Sequence, residues 1–473
     1  MRAPVFIFCW VTCLLVIGIN GTAVATPRPI ACIQTGSEHL APCLSVKPSD
    51  ILLAPHGDGF ALLLNFGLLW PRAGAVGFDL ICEEAYASKS PDHALLLDDG
   101  TVFVPTFTGL RRGATGDGCN FDFVQGIPRD AVVLQIIAEP QTPSNLLALT
   151  TNGDRARLLY RSMDGGLSFK LVHTFKPNVV FRNIFIAPSD PKIVYVSGYG
   201  LEGPFALGKS SDSGTNFDIQ DPLPALSNAL QGVEMRAVSP TDPKLLFFAR
   251  ATATGPDEVW RSKDEGASVD HVLSLEESEI VTGFTYGDNA QTIFVSGYRM
   301  LETTGIPPAH LFVSKNGGDT WQPGLPSGPK GPRFQCLRYR NGTLWACGGD
   351  PAMGDAFLVG RSDDEGKTWS PVTAMPQVSP VKSCVSALCP ATNAWLCSAY
   401  GLCNEDAGMS FDGGADAGAA TTGPSGCSCR VGSRHGGGGC WGLVLGLGAM
   451  LRRRKLRTRV RLLWGLLLAH NAR

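Results

Sequence analysis

Two pairs of adjacent carboxylates, Glu83-Glu84 and Asp98-Asp99, are groups that could divide acid and base roles between them. Glycoside hydrolysis needs two carboxyl groups facing one cleft, about 5–9.5 Å apart. Neighbours on a strand point to opposite faces, so adjacency works against that geometry, and these four read as solvated loop carboxylates. The eight histidines stand singly: His39, His56, His93, His173, His271, His310, His435 and His470. There is no H-x-x-x-H pair and no His/Cys cluster of the kind that holds a transition metal. Asp-Gly turns are plentiful, but no EF-hand loop closes on its Glu. A Walker loop and a G-x-S-x-G elbow are also missing. The expectation is no catalytic residue, no metal and no cofactor.

The cysteines carry redox chemistry instead. Cys9 and Cys13 fall in a hydrophobic leader, and ten more lie in the body: Cys32, Cys43, Cys82, Cys119, Cys336, Cys347, Cys384, Cys389, Cys397 and Cys403. An even number in an exported chain points to disulfides. Asn341-Gly342 reads as a two-residue hairpin turn. Pairing outward from it sets Cys336 directly opposite Cys347, within disulfide reach. Cys32–Cys43 is expected by proximity and Cys82–Cys119 across neighbouring units. Cys384, Cys389, Cys397 and Cys403 then have three possible pairings.

The element that must position all of this is an octapeptide repeat. Its full copies are Ser162-Met163-Asp164-Gly165-Gly166-Leu167-Ser168-Phe169, Ser210-Ser211-Asp212-Ser213-Gly214-Thr215-Asn216-Phe217 and Ser362-Asp363-Asp364-Glu365-Gly366-Lys367-Thr368-Trp369. A fourth copy has Asn316 at the third place, with Gly318 and Trp321, and a fifth has Asp264 and Gly266 but ends in Val269. Worn copies lie at 71–78 and 117–121. The third positions fall at 73, 117, 164, 212, 264, 316 and 364, a spacing of 44 to 52 residues. That period fits one four-stranded propeller blade. In each copy the Asp can accept local hydrogen bonds, the fifth-place Gly permits positive φ, and the closing aromatic can plug a core. The motif therefore holds a turn and catalyses nothing by itself. A second element, Pro188-Ser189-Asp190-Pro191-Lys192 and Pro240-Thr241-Asp242-Pro243-Lys244, feeds apolar strands. No long stretch has helical periodicity. With 56 Gly and 33 Pro in 473 residues, an all-β fold of many short strands is expected.

These S-x-D-x-G-x-x-[FW] copies resemble the Asp boxes, or BNR repeats, of sialidase-like β-propellers, over about residues 60–375. The resemblance implies a seven-bladed propeller, with eight or six blades as alternatives, each box joining the third and fourth strands of a blade. An eighth candidate copy lies at 404–411. Such propellers include sialidases, other glycosidases, sorting receptors and assembly factors, so fold does not choose the function. A sialidase would also need an Arg-Ile-Pro element; the nearest string is Arg28-Pro29-Ile30, in another order.

The ends read as targeting segments. Arg2, the apolar run 5–19 and Ala23-Val24-Ala25 form a signal peptide over 1–25. The propeller is assigned to 26–405 and a flexible linker to 406–426. Cys427 and Cys429, the apolar run 441–451 and the cluster Arg452-Arg453-Arg454-Lys455 follow within 427–473. Their order resembles the C-terminal sorting signals (MYXO-CTERM type) of myxobacterial surface proteins. An 11-residue helix spans about 16 Å, well short of a bilayer core of about 30 Å. The chain continues past Lys455 through Leu462-Leu463-Trp464, which that pattern does not explain.

Ten of the 40 Lys/Arg and none of the 42 Asp/Glu fall in 430–473, so residues 1–429 carry a formal charge of −12. An acidic body argues against nucleic acid as a ligand. The expectation is an exported, monomeric cell-surface propeller, associated with the membrane through its C-terminal segment. It binds an extracellular protein or glycan without catalysis; the alternative is a secreted glycoside hydrolase.

Overall fold

The computed structural model describes residues 46–72, 77–86, 93–114, 120–152, 156–200, 205–220, 232–252, 255–276, 279–299, 309–324, 334–349, 355–373, 378–379, 389, 392, 396–397 and 400. The assigned signal peptide, Cys32, Cys43, Cys119, the copy at 404–411, the linker and the segment with Cys427 and Cys429 lie outside the described residues.

The protein is all-β. Seven sheets follow one another along the chain, each built on four antiparallel strands in sequence order, and the first gains a fifth strand at its outer edge. These are the blades of a seven-bladed β-propeller. Their first strands are Pro48–Leu53, Leu95–Leu96, Val132–Glu139, Val179–Ile186, Val233–Val238, Glu279–Tyr286 and Cys336–Arg340, and successive ones pack together around the axis. A single turn of 3-10 helix, Glu83–Tyr86, follows blade 1.

Apolar burial between blades supplies the cohesion. Each seam between neighbouring blades holds one buried cluster. Between blades 3 and 4, for example, Leu149 and Leu159 meet Phe181, Ile184 and Val196. Burying each such side chain contributes about 1.5–3 kcal/mol. Alternation along the strands makes this possible: Leu159 faces blade 4 while Tyr160 faces blade 2.

The octapeptides form the turns between third and fourth strands. In blade 3 the turn joins Arg157–Ser162 to Lys170–Thr174. Ser162 Oγ donates to Asp164 Oδ1 at 2.6 Å and accepts from Gly166 N at 2.9 Å. Asp164 also accepts from Ser168 N and Ser168 Oγ. Asp212, Asp264, Asn316 and Asp364 repeat the pattern. Gly166, Gly214, Gly266, Gly318 and Gly366 all have positive φ. So does the fourth place, which the sequence reading had not singled out: Ser213, Glu265 and Glu365 lie at φ 62, 63 and 62°. That residue's N–H donates to the connection between strands one and two, as Ser213 N to Lys192 O and Glu265 N to Lys244 O. The two recurring sequence elements are thus one docked unit. Of the closing residues Phe169 is fully in the core, while Phe217, Val269, Trp321 and Trp369 are partly buried.

Blade 7 packs directly on blade 1. The chain then crosses to the outer edge of blade 1, where Val378–Ser379 pairs parallel with Phe78–Asp79. Beyond it Thr392, Leu396, Cys397 and Tyr400 are helical, and Leu396 is buried in the cluster shared by blades 7 and 1.

Cys336 and Cys347 are paired in register around Asn341-Gly342 and joined by a disulfide with a Cα separation of 4.9 Å. Cys82 is bonded to Cys389, not to Cys119. The expected pairing ran across neighbouring units, but Cys82 ends the outer strand of blade 1, where ring closure delivers a residue 307 positions away. Since Cys389 is taken, the four C-terminal cysteines are not a closed set. Cys397 is also disulfide-bonded.

Candidate functional site at the axial mouth

Four antiparallel strands per blade divide the connections between two faces. The octapeptides and the one-to-two turns lie on one face. The two-to-three loops and the crossings between blades lie on the other. The first strands enter the ring from this second face, and there they carry a shared irregularity. A β-bulge interrupts the first strand of blades 3, 4, 5 and 6, leaving Leu134, Arg182, Arg236 and Thr282 without a cross-strand partner. Blade 1 has the same break at Ser49. A bulge re-aims a side chain out of the pleat and frees backbone groups.

The freed groups are used between blades. Arg157 Nε donates to Phe181 O at 2.8 Å, and Arg236 Nη2 donates to Val281 O at 3.1 Å. Gln135 Oε1 accepts from Ile184 N, and Thr282 Oγ1 donates to Phe334 O. Arg338 closes the series on Asp50 of blade 1. Much of the polar inventory at this mouth therefore holds the ring together.

Arg182 is the exposed member of the set. Its guanidinium sits 5.3 Å from the ring centre of Tyr199. Burial pushes the Tyr199 hydroxyl up, Glu234 adds to that, and Arg182 and Arg236 oppose it. Arg236 pairs with Glu234 at 3.2 Å. Asp257 is buried, and burial raises its carboxyl above the ordinary range despite the Val281 N–H donating to it at 2.9 Å. Burial lowers the Arg157 guanidinium and neighbouring Arg182 adds to that, so two cations share this edge. Arg182, Tyr199, Glu234, Arg236 and Asp257 form one polar group across blades 4 and 5.

To one side, Arg250 lies 3.6 Å from Glu258 and over Trp260, whose Nε1 donates to Glu258 at 2.9 Å. Further round, Glu279 is fully buried against His310 Nδ1 at 2.5 Å.

None of the octapeptide residues joins this group, because their turns lie on the other face. The carboxylate pairs named from the sequence are elsewhere too. Asp98 accepts from His56 N and Gly57 N, Asp99 from Thr101 N, and Glu84 from Thr392 Oγ1. Cys82, Cys389 and Glu84 converge closely enough to suggest metal ligands, but the two sulfurs are already bonded to each other. What the sequence reading missed was the bulged arginines. Their signal is a charge set inside an apolar strand, as in Val180-Phe181-Arg182-Asn183-Ile184 and Met235-Arg236-Ala237.

No family model matches the chain. Among solved structures it is similar to an ancestral GH74 enzyme at 15% identity, over 68% of this chain and 46% of that one, with a TM-score of 0.47. It therefore spans about half the length of that enzyme. The GH74 xyloglucanase of Xanthomonas campestris gives 12% identity, 71% and 69% coverage and a TM-score of 0.35. The α-L-arabinanase of Penicillium chrysogenum, solved with arabinobiose, gives 15%, 50% and 80%, and 0.35.

Proposed function

We propose that this protein is an exported, surface-associated recognition propeller that holds a glycan at the mouth around Arg182 and Tyr199 without cleaving it. The carrying observation is how the carboxylates there are spent. Glu234 is paired with Arg236, Asp257 with a backbone N–H, and Glu279 with His310. Asp257 and Glu279 are buried in their own scaffold and Glu234 is held by Arg236, while Arg182 is exposed beside the half-buried Tyr199. Arginine and tyrosine together suit sugar hydroxyls, and acidic sugars more strongly. The octapeptides act as Asp boxes in the structural sense, tying the two turns of blades 3 to 6 together. Export is supported by the disulfides, which persist in oxidising compartments. Cell-surface attachment through Cys427 and Cys429 belongs to the same proposal.

One observation favours the second reading, a glycoside hydrolase. Asp257 has a raised carboxyl close enough to Glu234 to feel its charge, the electrostatic setting of an acid–base pair. Incubation with xyloglucan, arabinan and polygalacturonate separates the two. Binding with no new reducing ends supports recognition. Reducing ends that disappear in Asp257→Asn establish the hydrolase.

A further inference from the structure

On the octapeptide face the seams follow a rule. The residue just before the first Ser of each turn is basic in blades 3, 4, 5 and 7: Arg161, Lys209, Arg261 and Arg361. In blades 4 and 5 it reaches across the seam to an acid on the next blade's turn, whereas Arg361 lies by Asp363 of its own turn. Lys209 Nζ meets Glu265 at 2.7 Å, and Arg261 Nη1 meets Asp319 at 2.6 Å and Gly317 O at 3.0 Å. Blade 6 has Val313 at this place, and there Lys315 supplies the cation for Glu365.

The rule fails between blades 3 and 4. Arg161 faces the fourth place of the next turn, but that residue is Ser213, too short to offer a carboxylate. Arg161 Nη2 is buried and has no hydrogen-bond partner. It lines a pocket of about 120 Å³ with Ser213, Met163, Ile186, Pro191 and Glu139. Glu139 shares this pocket but accepts from the Asn145 amide at 2.9 Å and forms no described ion pair with Arg161. A buried guanidinium nitrogen left unpaired is costly, and a charge-assisted bond would relieve it.

The same turn carries a second anomaly. Of five exposed large apolar side chains among the described residues, three belong to it or to the strand leaving it: Met163 at 73%, Leu167 at 58% and Leu171 at 51%. Met163 itself lines the pocket, and an adaptable exposed Met next to a polar pocket is the composition of a protein-contact surface.

We propose that the seam between blades 3 and 4 is a docking site for an extended peptide of a partner protein, which presents a carboxylate to Arg161 and an adjoining apolar side chain to Met163 and Leu167. The partner supplies the acid that Glu265 and Asp319 supply at the neighbouring seams. This site is on the face away from Arg182 and does not depend on glycan recognition there.

The test uses the exported protein and two fluorescein-labelled peptides, Gly-Leu-Glu-Leu-Gly and its Gln counterpart, read by anisotropy. The Glu peptide should bind about tenfold more tightly than the Gln peptide. Arg161→Gln should remove that preference. Ser213→Glu should fill the pocket from within and abolish binding while the melting midpoint holds or rises, because Glu265 and Glu365 already occupy the same left-handed position. Equal binding of both peptides, no binding of either, acetate alone relieving Arg161 with no peptide bound, or a Ser213→Glu protein that still prefers the Glu peptide would each overturn the proposal.

Discussion

Arg338 and Asp50 stand 288 residues apart and form an ion pair, with Nη2 at 2.6 Å from Oδ1 and 2.7 Å from Oδ2. The pair joins the first strand of blade 7 to the first strand of blade 1, so it forms only when the ring closes. Arg340 adds bonds from its Nη1 to Ala54 O and Gly59 O, each at 3.1 Å. Arg338→Ala strands the buried Asp50 carboxylate. We expect a loss of about 1–2 kcal/mol, moderated because Arg338 is more than a third exposed. Hydrogen exchange should accelerate first in blades 1 and 7; uniform acceleration around the ring would mean the pair is not a closure device.

The strap disulfide should matter more. Cys82–Cys389 closes a loop of 307 residues, and cross-links over long loops restrain the unfolded chain most. Cys82→Ser with Cys389→Ser should cost about 2–5 kcal/mol. Peptide mapping under non-reducing conditions should recover Cys82 with Cys389. Recovery with Cys119 would contradict the closure described above.

The octapeptide carboxylates give an acid limit. Bonds from Thr368, with Ser362 next, hold Asp364 down to about 2. Ser162 and Ser168 hold Asp164 low, Asn216 and Ser210 do so for Asp212, and Ser268 for Asp264. A folded-state value below the unfolded one means the stabilisation is complete above the unfolded carboxyl value of about 3.9. It is lost as pH falls from there toward about 2. Denaturant midpoints measured from pH 5 down should drop through that window. In Asp364→Ala the drop should be shallower and stability at neutral pH lower by about 1–2 kcal/mol.

Much of this was legible in the sequence, and the boundary has a physical cause. Local chemistry could be read. Ser162, Asp164 and Gly166 sit within one turn, so their types and spacing dictate the hydrogen bonds. Cys336 and Cys347 flank a two-residue hairpin, so register alone sets them opposite. What escaped was non-local. Cys82 meets Cys389 only because the ring returns on itself. Arg182 and Arg236 reach the mouth through bulges, which shift register by one residue without a turn signal. The positive φ of Ser213 and Glu265 was hidden because neither is Gly, and that conformation is imposed by docking on Lys192 and Lys244.

The C-terminal segment lies outside the described residues and has its own test. If Cys427 and Cys429 direct surface attachment, intact mass of surface-extracted protein should lack residues 441–473. Serine at both cysteines should divert the protein to the inner membrane or the medium. A full-length mass at the surface would leave an ordinary anchor.

The most direct test of the recognition account is calorimetric titration of the exported protein with polygalacturonate and with xyloglucan, with reducing ends assayed on the same samples. We expect binding that weakens about tenfold in Arg182→Ala, favours the acidic polymer and releases no reducing ends. Reducing ends produced by the unmodified protein and lost in Asp257→Asn, or binding indifferent to Arg182, would contradict it.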